Sequence, residues 1–315
     1  MFLLQKLSSS LRLADVRIAL YDIGEEFAVA IYHAMHVVYL FTKTDIMTTL
    51  IPNTAFGIVA AGDFHPGRML QRLTWVWVHC LQFCVSNQSI DTSEDKKNHP
   101  WRPISSGQIS WPAARYLRWM LLVLSLSLSA SWGAFTPSFT LSLATIAYNE
   151  LGLSKKWFTR NALNAIGYTS FCVGATNAAH AMPAFQKSQR ARLLDVHRNR
   201  SAGASSLAIH VVNALIIMTT IQAQDFKDVE GDAAIGRETL PILYPDASRV
   251  VTAALIPIWS VLVTRLWTMD GVLSVSTVLV GCAAGLSFIV GPRTRASDER
   301  SYKLYNVRWS SSYIR

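Results

Sequence analysis

Eight mostly apolar runs, each closed by a short polar stretch, recur through this chain of 315 residues and leave it few ways to fold. The pattern predicts spans over residues 46–61, 73–86, 111–134, 137–149, 161–182, 202–224, 250–269 and 272–290, the last pair joined by a tight turn at Asp270-Gly271. Several fall short of the ~20 residues a spanning helix needs and would borrow flanking residues to cross. With 51% of residues hydrophobic and 16% charged, the composition is that of a multi-span membrane protein rather than a soluble domain. The expected fold class is therefore all-α, a polytopic helical bundle in a lipid bilayer.

Other features narrow the reading. Residues 1–26 are mixed and polar, and 27–41 form an apolar run of fifteen, short for a span and better suited to an interfacial helix. His33 and His36 could share a helical face there, but no carboxylate or third histidine accompanies them, which argues against a metal site. No basic region precedes a long apolar core at the N-terminus, so no cleaved signal is expected. Cys80, Cys84, Cys172 and Cys282 all fall inside apolar runs without paired loop spacing, which points to packing rather than to disulfides or zinc. The net charge of +9 comes from Lys and Arg in short loops, where topology signals and phosphate contacts are expected, so no nucleic acid partner is inferred.

Carboxylates concentrate in two blocks, each directly after an apolar run. The first, residues 87–103, carries Asp91 and Asp95 four apart, with Asn87 a further four residues back. The second, residues 225–232, carries Asp228 and Asp232 at the same spacing, with Asp225 three residues before Asp228. On a helix such spacing puts carboxylates on one face with Cβ atoms ~5–6 Å apart, where they repel unless cations neutralise them. Oxygen ligands of this kind suit Mg²⁺, which takes one or two carboxylates plus substrate phosphates. Arg102, Lys155, Arg160, Lys227 and Arg237 could then hold the non-bridging oxygens of a diphosphate. Metal and cations together stabilise charge on a departing diphosphate, and an apolar cavity would house the hydrocarbon tail. For a single acidic pair the plainer reading is a solvated helix cap, and transporters also carry intramembrane charge; two blocks at equivalent span ends favour catalysis.

If even-numbered spans end on one side, that side collects both acidic blocks and the loops bearing Lys96, Lys97, Arg102, Lys155, Lys156, Arg160, Arg237 and Arg293, which makes it cytosolic by the positive-inside tendency. Residues 183–201 break the rule, with Lys187, Arg190, Arg192, Arg198 and Arg200 on the opposite side, and read as an unusual insertion.

The two blocks resemble the motifs of the UbiA superfamily of membrane prenyltransferases, N-D-x-x-D-x-x-x-D and D-x-x-x-D. Asn87, Asp91 and Asp95 match the first, and Asp228 and Asp232 the second. Asn98-His99-Pro100-Trp101-Arg102-Pro103-Ile104-Ser105-Ser106-Gly107 is similar to the family's continuation of the first motif, and Gly231-Asp232-Ala233-Ala234-Ile235-Gly236-Arg237-Glu238-Thr239-Leu240-Pro241 to that of the second. The resemblance implies a nine-span bundle whose central cavity opens at the acidic motifs, with Asp91, Asp95, Asp228 and Asp232 on Mg²⁺ and Asn87, Gln88 and Asp225 supporting them. It divides the chain into an N-terminal segment with an interfacial helix (1–45), a transmembrane catalytic domain (46–300) and the start of a last span (301–315). Three departures stand out: Gln88 replaces the first Asp of the motif, the basic loop is long, and the last span, opening at Ser301-Tyr302-Lys303-Leu304-Tyr305-Asn306-Val307, is cut short.

Within the superfamily, Asn87-Gln88, Glu94-Asp95, residues 40–45 and Gln222-Ala223-Gln224-Asp225 resemble the fungal branch that includes membrane-bound sesquiterpene cyclases. Such an enzyme ionises farnesyl diphosphate and lets the chain's own double bonds attack the cation, which Trp75, Trp77, Phe83, Tyr148, Tyr168 and Phe171 could shield. The alternatives are a prenyltransferase with an aromatic or phenolic acceptor, for which no proton-accepting base stands out, and an inactive truncated member. The resemblance implies an endoplasmic reticulum membrane with the site facing the cytosol.

Overall fold

The computed structural model describes residues 24–90, 92–179 and 195–311. Asp91, the N-terminal segment 1–23 and most of the basic loop expected over 183–201 lie outside them. Among the described residues the regular structure is helical, in keeping with a bilayer interior where each backbone polar group must be paired within its own segment. Helix α1 covers residues 24–42, and a π-helical turn, Ile46–Leu50, leads into α2, Ile51–Ala61. Then come α3 (Pro66–Gln88), α4 (Thr92–Asn98), α5 (Trp111–Trp132), α6 (Phe135–Asn149) and α7 (Trp157–Asn177). Helix α8 (Asp195–Thr220) tightens into a 3-10 segment, Ile221–Asp228, and is followed by α9 (Val229–Ala234), α10 (Leu240–Leu243), α11 (Pro245–Leu266), α12 (Gly271–Val290) and α13 (Arg295–Ser311).

Among the described residues three stretches, Leu207–Ala234, Pro245–Leu266 and Gly271–Val290, are long and apolar enough to cross a membrane. Helices α3, α5 and α7 reach 23, 22 and 21 residues but turn polar side chains inward. Their outward faces are apolar: Leu70, Leu73, Met120, Val123, Phe158 and Ile166 are all exposed, as a lipid-facing surface requires.

Where the helices differ from the apolar pattern, the reason is local. Helix α3 begins at Pro66, seven residues before the expected 73, because Arg72 is buried (1% exposed) and tied to the Asp63 carbonyl at 3.3 Å, so polarity there does not mean loop. Helix α13 begins at Arg295, ahead of the expected Ser301, with the Thr294 hydroxyl accepting from the Ser297 amide at 3.3 Å as an N-cap. Residues 195–201, expected as loop, form the first turns of α8.

The core centres on α3, where Trp75, Val76, Cys80 and Val85 pack with Phe41, Leu121, Phe171 and Ala175. A polar network runs through it. Trp75 Nε1 donates to Ser129 Oγ at 2.8 Å, and the His79 ring stacks on Trp75 at 3.9 Å while its Nε2 lies 2.7 Å from Ser138 Oγ. Such interhelical hydrogen bonds stabilise membrane bundles where lipid offers no hydrophobic gain. Gly174 is required by this packing, since a Cβ there would fall 1.9 Å from the Trp75 ring.

A second cluster, Phe226, Ile256, Ala284, Phe288 and Tyr305, joins the 3-10 segment to α11, α12 and α13. Arg249 locks it, donating to both oxygens of Asp298 at 2.7 and 2.8 Å while its guanidinium covers the Phe226 ring at 4.6 Å. The segment that carries the second acidic block is thereby held from behind.

Candidate active site

A cavity of ≈ 960 Å³ opens between these helices. Part of its wall is apolar and aromatic, formed by Phe83, Leu141, Tyr148, Gly167, Tyr168 and Phe171. Charged and polar groups line the rest: Lys43, Asn98, His99, Trp101, Arg102, Lys227, Asp228, Arg237 and Arg295.

The two acidic blocks meet beside this cavity. Helix α4 packs against α9, and Asn98 of the first block donates to the Asp228 carbonyl of the second at 3.5 Å. The contact is close enough to exclude any side chain at Gly231, whose Cβ would lie 1.9 Å from Asn98 Nδ2. The i, i+4 stripe expected for Asp225, Asp228 and Asp232 needs correcting, because Asp225 and Asp228 lie in the 3-10 segment and only Asp232 is in α9. With three residues per turn, Asp225 and Asp228 stack one above the other.

Each described aspartate of the two blocks has its own cation. Arg102 donates to Asp95, Lys227 to Asp228, and Arg237 to Asp232 at 2.6 Å. Arg160 grips Asp225 through Nε at 3.2 Å and Nη2 at 2.8 Å and also donates to the Tyr148 hydroxyl, linking α7, α6 and the 3-10 segment. Asp225 is thus committed to holding Arg160. The other three are half-satisfied: Asp95 Oδ2, Asp228 Oδ1 and Asp232 Oδ2 are buried without a hydrogen-bond partner among the described residues. An anionic oxygen buried without a partner is costly, and unused carboxylate oxygens on both blocks are the ligand type a hard divalent cation such as Mg²⁺ takes; among the described residues they are not already gathered within 4.8 Å of one another. Burial pushes the Asp95 carboxyl above its usual range, with Arg102 opposing. Burial also drives the His99 imidazole down to about 3, so it is neutral at 3.8 Å from Asp228 rather than an ion-pair partner.

Of the residues singled out from sequence, Asn87, Arg102, Tyr148, Arg160, Lys227, Asp228 and Arg237 line the cavity. Asp95, Asp225 and Asp232 are buried beside it. Asn87 donates to Asn149 Oδ1 at 3.1 Å, and Asn149 in turn donates through Nδ2 to Ser86 Oγ at 2.9 Å. Gln88 points elsewhere, donating to the Phe41 carbonyl at 3.1 Å, because one residue beyond Asn87 is rotated about 100° around the helix. Lys155 is exposed on the turn before α7, away from the cavity lining. Of the six aromatics, Phe83, Tyr148, Tyr168 and Phe171 face the cavity, whereas Trp75 is core and Trp77 is on the outer surface at 38% exposure. Sequence reasoning gave no role to Lys43, Arg295, Glu299, Tyr302, Lys303 or Asn306, which also line it. For Tyr302 and Asn306 the signal was present as an i, i+4 pair on the last helix.

A model of the UbiA prenyltransferase family matches residues 49–311. The chain is 27% identical over 268 residues to fumagillin beta-trans-bergamotene synthase af520 of Aspergillus fumigatus, covering 85% of this chain and 86% of that protein. It is 28% identical over 280 residues to diterpene cyclase eriG of Hericium erinaceus, covering 84% and 82%. Its fold is similar to the solved structure of a UbiA homolog from Archaeoglobus fulgidus bound to GPP and Mg²⁺, with TM-score 0.60 and 14% identity over 88% of this chain and 98% of that one.

Proposed function

This chain belongs to the UbiA prenyltransferase family, and from that premise we propose that it ionises an allylic prenyl diphosphate with Mg²⁺, most specifically farnesyl diphosphate, and cyclises the chain to a sesquiterpene. The observation that carries the proposal is the set of three half-satisfied carboxylates, Asp95, Asp228 and Asp232, beside a cavity lined by both cations and aromatics. Asp91, by its place in the first motif, would join them as a ligand. The named relatives are terpene cyclases or synthases, and the solved homolog holds a prenyl diphosphate with Mg²⁺. When bound, Mg²⁺ neutralises diphosphate charge and makes it a better leaving group.

The protein's own residues do the rest. Arg102, Lys227 and Arg237 hold the diphosphate oxygens as the allylic C–O bond breaks and its electron pair leaves with oxygen. Arg160, held by Asp225 and Tyr148, keeps a fixed positive charge on the wall. Phe83, Tyr148, Tyr168 and Phe171 present ring faces to the allylic cation and exclude water until an internal double bond closes on it, and the cyclised cation then loses a proton to the departed diphosphate to give the neutral hydrocarbon. Lys96, Lys97 and Lys156 are exposed, which supports a cytosolic face of the endoplasmic reticulum membrane.

A second reading, transfer of the prenyl group to an aromatic acceptor, draws on the family description and on a cavity near the top of the ~300–1,000 Å³ range for ligand sites. Microsomes carrying the chain, supplied with farnesyl diphosphate and Mg²⁺ without acceptor, decide between them. A cyclic hydrocarbon that vanishes without Mg²⁺ is the expected result. Release of product only after a phenolic acceptor is added would favour transfer, and no diphosphate release under either condition would defeat both.

A further inference from the structure

Outside the acidic motifs, the fold assembles a cluster of different chemistry. Cys80 and Cys84 lie one turn apart on α3, and Asp45, from the turn that precedes the π-helix, reaches toward both. The three ligand atoms all fall within 4.8 Å of one another, with Cys84 Sγ 3.5 Å from Asp45 Oδ2. Both cysteines are free and buried, at 2% and 4% exposure. Nothing in the linear pattern hints at this, since Asp45 is 35 residues before Cys80 and no cysteine-motif spacing marks the pair.

We propose that Asp45, Cys80 and Cys84 form a binding site for a thiophilic divalent cation, zinc in its chemistry, distinct from the carboxylates of the two acidic blocks. Bonds of ~2.3 Å to sulfur and ~2.0–2.2 Å to oxygen put tetrahedral ligands roughly 3.3–3.8 Å apart, so rotamer adjustments of about 1 Å close the cluster. The Thr44 hydroxyl donates to Asp45 Oδ2 at 2.9 Å and orients the carboxylate from outside, as second-layer groups do at metal centres. Asp45 and Cys80 also line the main cavity, which supplies a route in and leaves a fourth position for water. Sulfur ligands select zinc, cadmium or cobalt over magnesium. Binding releases the two thiol protons to solvent as thiolate–metal bonds form, with no change of oxidation state.

Cobalt reports on such a site directly, through its thiolate-to-metal charge-transfer absorption. The purified full chain in detergent, with excess Mg²⁺ to fill the hard site, is titrated with Co²⁺. One Co²⁺ per chain should produce the band, and Zn²⁺ should bleach it. Cys80→Ser and Cys84→Ser should each lose it, Asp45→Asn should weaken binding about ten-fold, and Asp228→Asn and Cys282→Ser should keep it. Alanine replaces serine at either cysteine if the apolar wall does not tolerate the hydroxyl, as judged by the melting temperature. Absence of the band in folded wild-type protein overturns the site, as does an undiminished band in the Cys80→Ser/Cys84→Ser double variant.

Discussion

The two ends of α3 both carry an aspartate next to arginines, and they do opposite things with it. Helix α3, 23 residues long and so about 34 Å from end to end, has Asp63 just before its N-terminus and the first acidic block just after its C-terminus. Asp63 has both oxygens engaged, Oδ1 by the His65 amide at 3.2 Å and Oδ2 by Arg68 at 2.6 Å, with Arg72 a further 3.8 Å away. Arg68 lowers its pKa below the usual carboxylate value. At the other end Asp95, Asp228 and Asp232 each spend one oxygen on a cation and leave the other buried without a partner. Charge at the mouth of a bundle is therefore not diagnostic by itself. What separates a cap from a metal site is the half of each carboxylate the protein leaves unused.

The sharpest way to break that contrast is to neutralise both ends. Asp228→Ala and Asp91→Ala should cut product formation about 10²- to 10³-fold or more in protein that still inserts, while Asp63→Ala should leave the turnover of folded enzyme unchanged. Equal losses at both ends would erase the distinction. Metal removal is the next test, read by thermal melting in detergent. Mg²⁺ at about a hundred times its Kd should stabilise the wild type by about 2.7 kcal/mol; EDTA should abolish the gain, Asp95→Asn should lack it, and Asp63→Asn should retain it.

Gly231→Ala tests the docking of the two blocks without touching a carboxylate. Forcing a Cβ against Asn98 should cost about 1–3 kcal/mol and raise the Mg²⁺ concentration needed for activity, which a melt and a magnesium titration together would record. The smallest effect concerns pH. His99 resists protonation when folded down to about 3 against 6.5 when free, so its contribution is intact above pH 6.5 and is lost progressively as pH falls toward 3. In His99→Asn that acid-side loss should be shallower, measured as the difference between melting-temperature profiles.

Much of the bundle was legible because long apolar runs have few alternatives in a bilayer. The runs expected over 111–134 and 272–290 became Trp111–Trp132 and Gly271–Val290 almost unchanged. The 3-10 segment at Ile221–Asp228 was not legible, since nothing in Gln222-Ala223-Gln224-Asp225 marks a tightened helix. In the candidate site, residue types were easier to read than directions. Asn87 and Gln88 are neighbours in one motif, yet helical phase turns one to the cavity and the other to the Phe41 carbonyl. Lys155 and Arg160 lie five residues apart, but the exposed turn takes the first to solvent while α7 buries the second at 6% exposure. The Asp45 cluster was invisible because its members are joined only by folding.

The meeting of Asn98 with Asp228 spans 130 residues of chain, and that distance has a consequence in time. A ribosome adding about 5–20 residues per second completes the second block roughly 7–26 s after the first. Through that interval α4 must wait at the water boundary with Arg102 alone to hold Asp95, and its exposed Lys96 and Lys97 favour its staying there. The active site is thus a late event in biogenesis, made only when the second half of the protein arrives to close on the first.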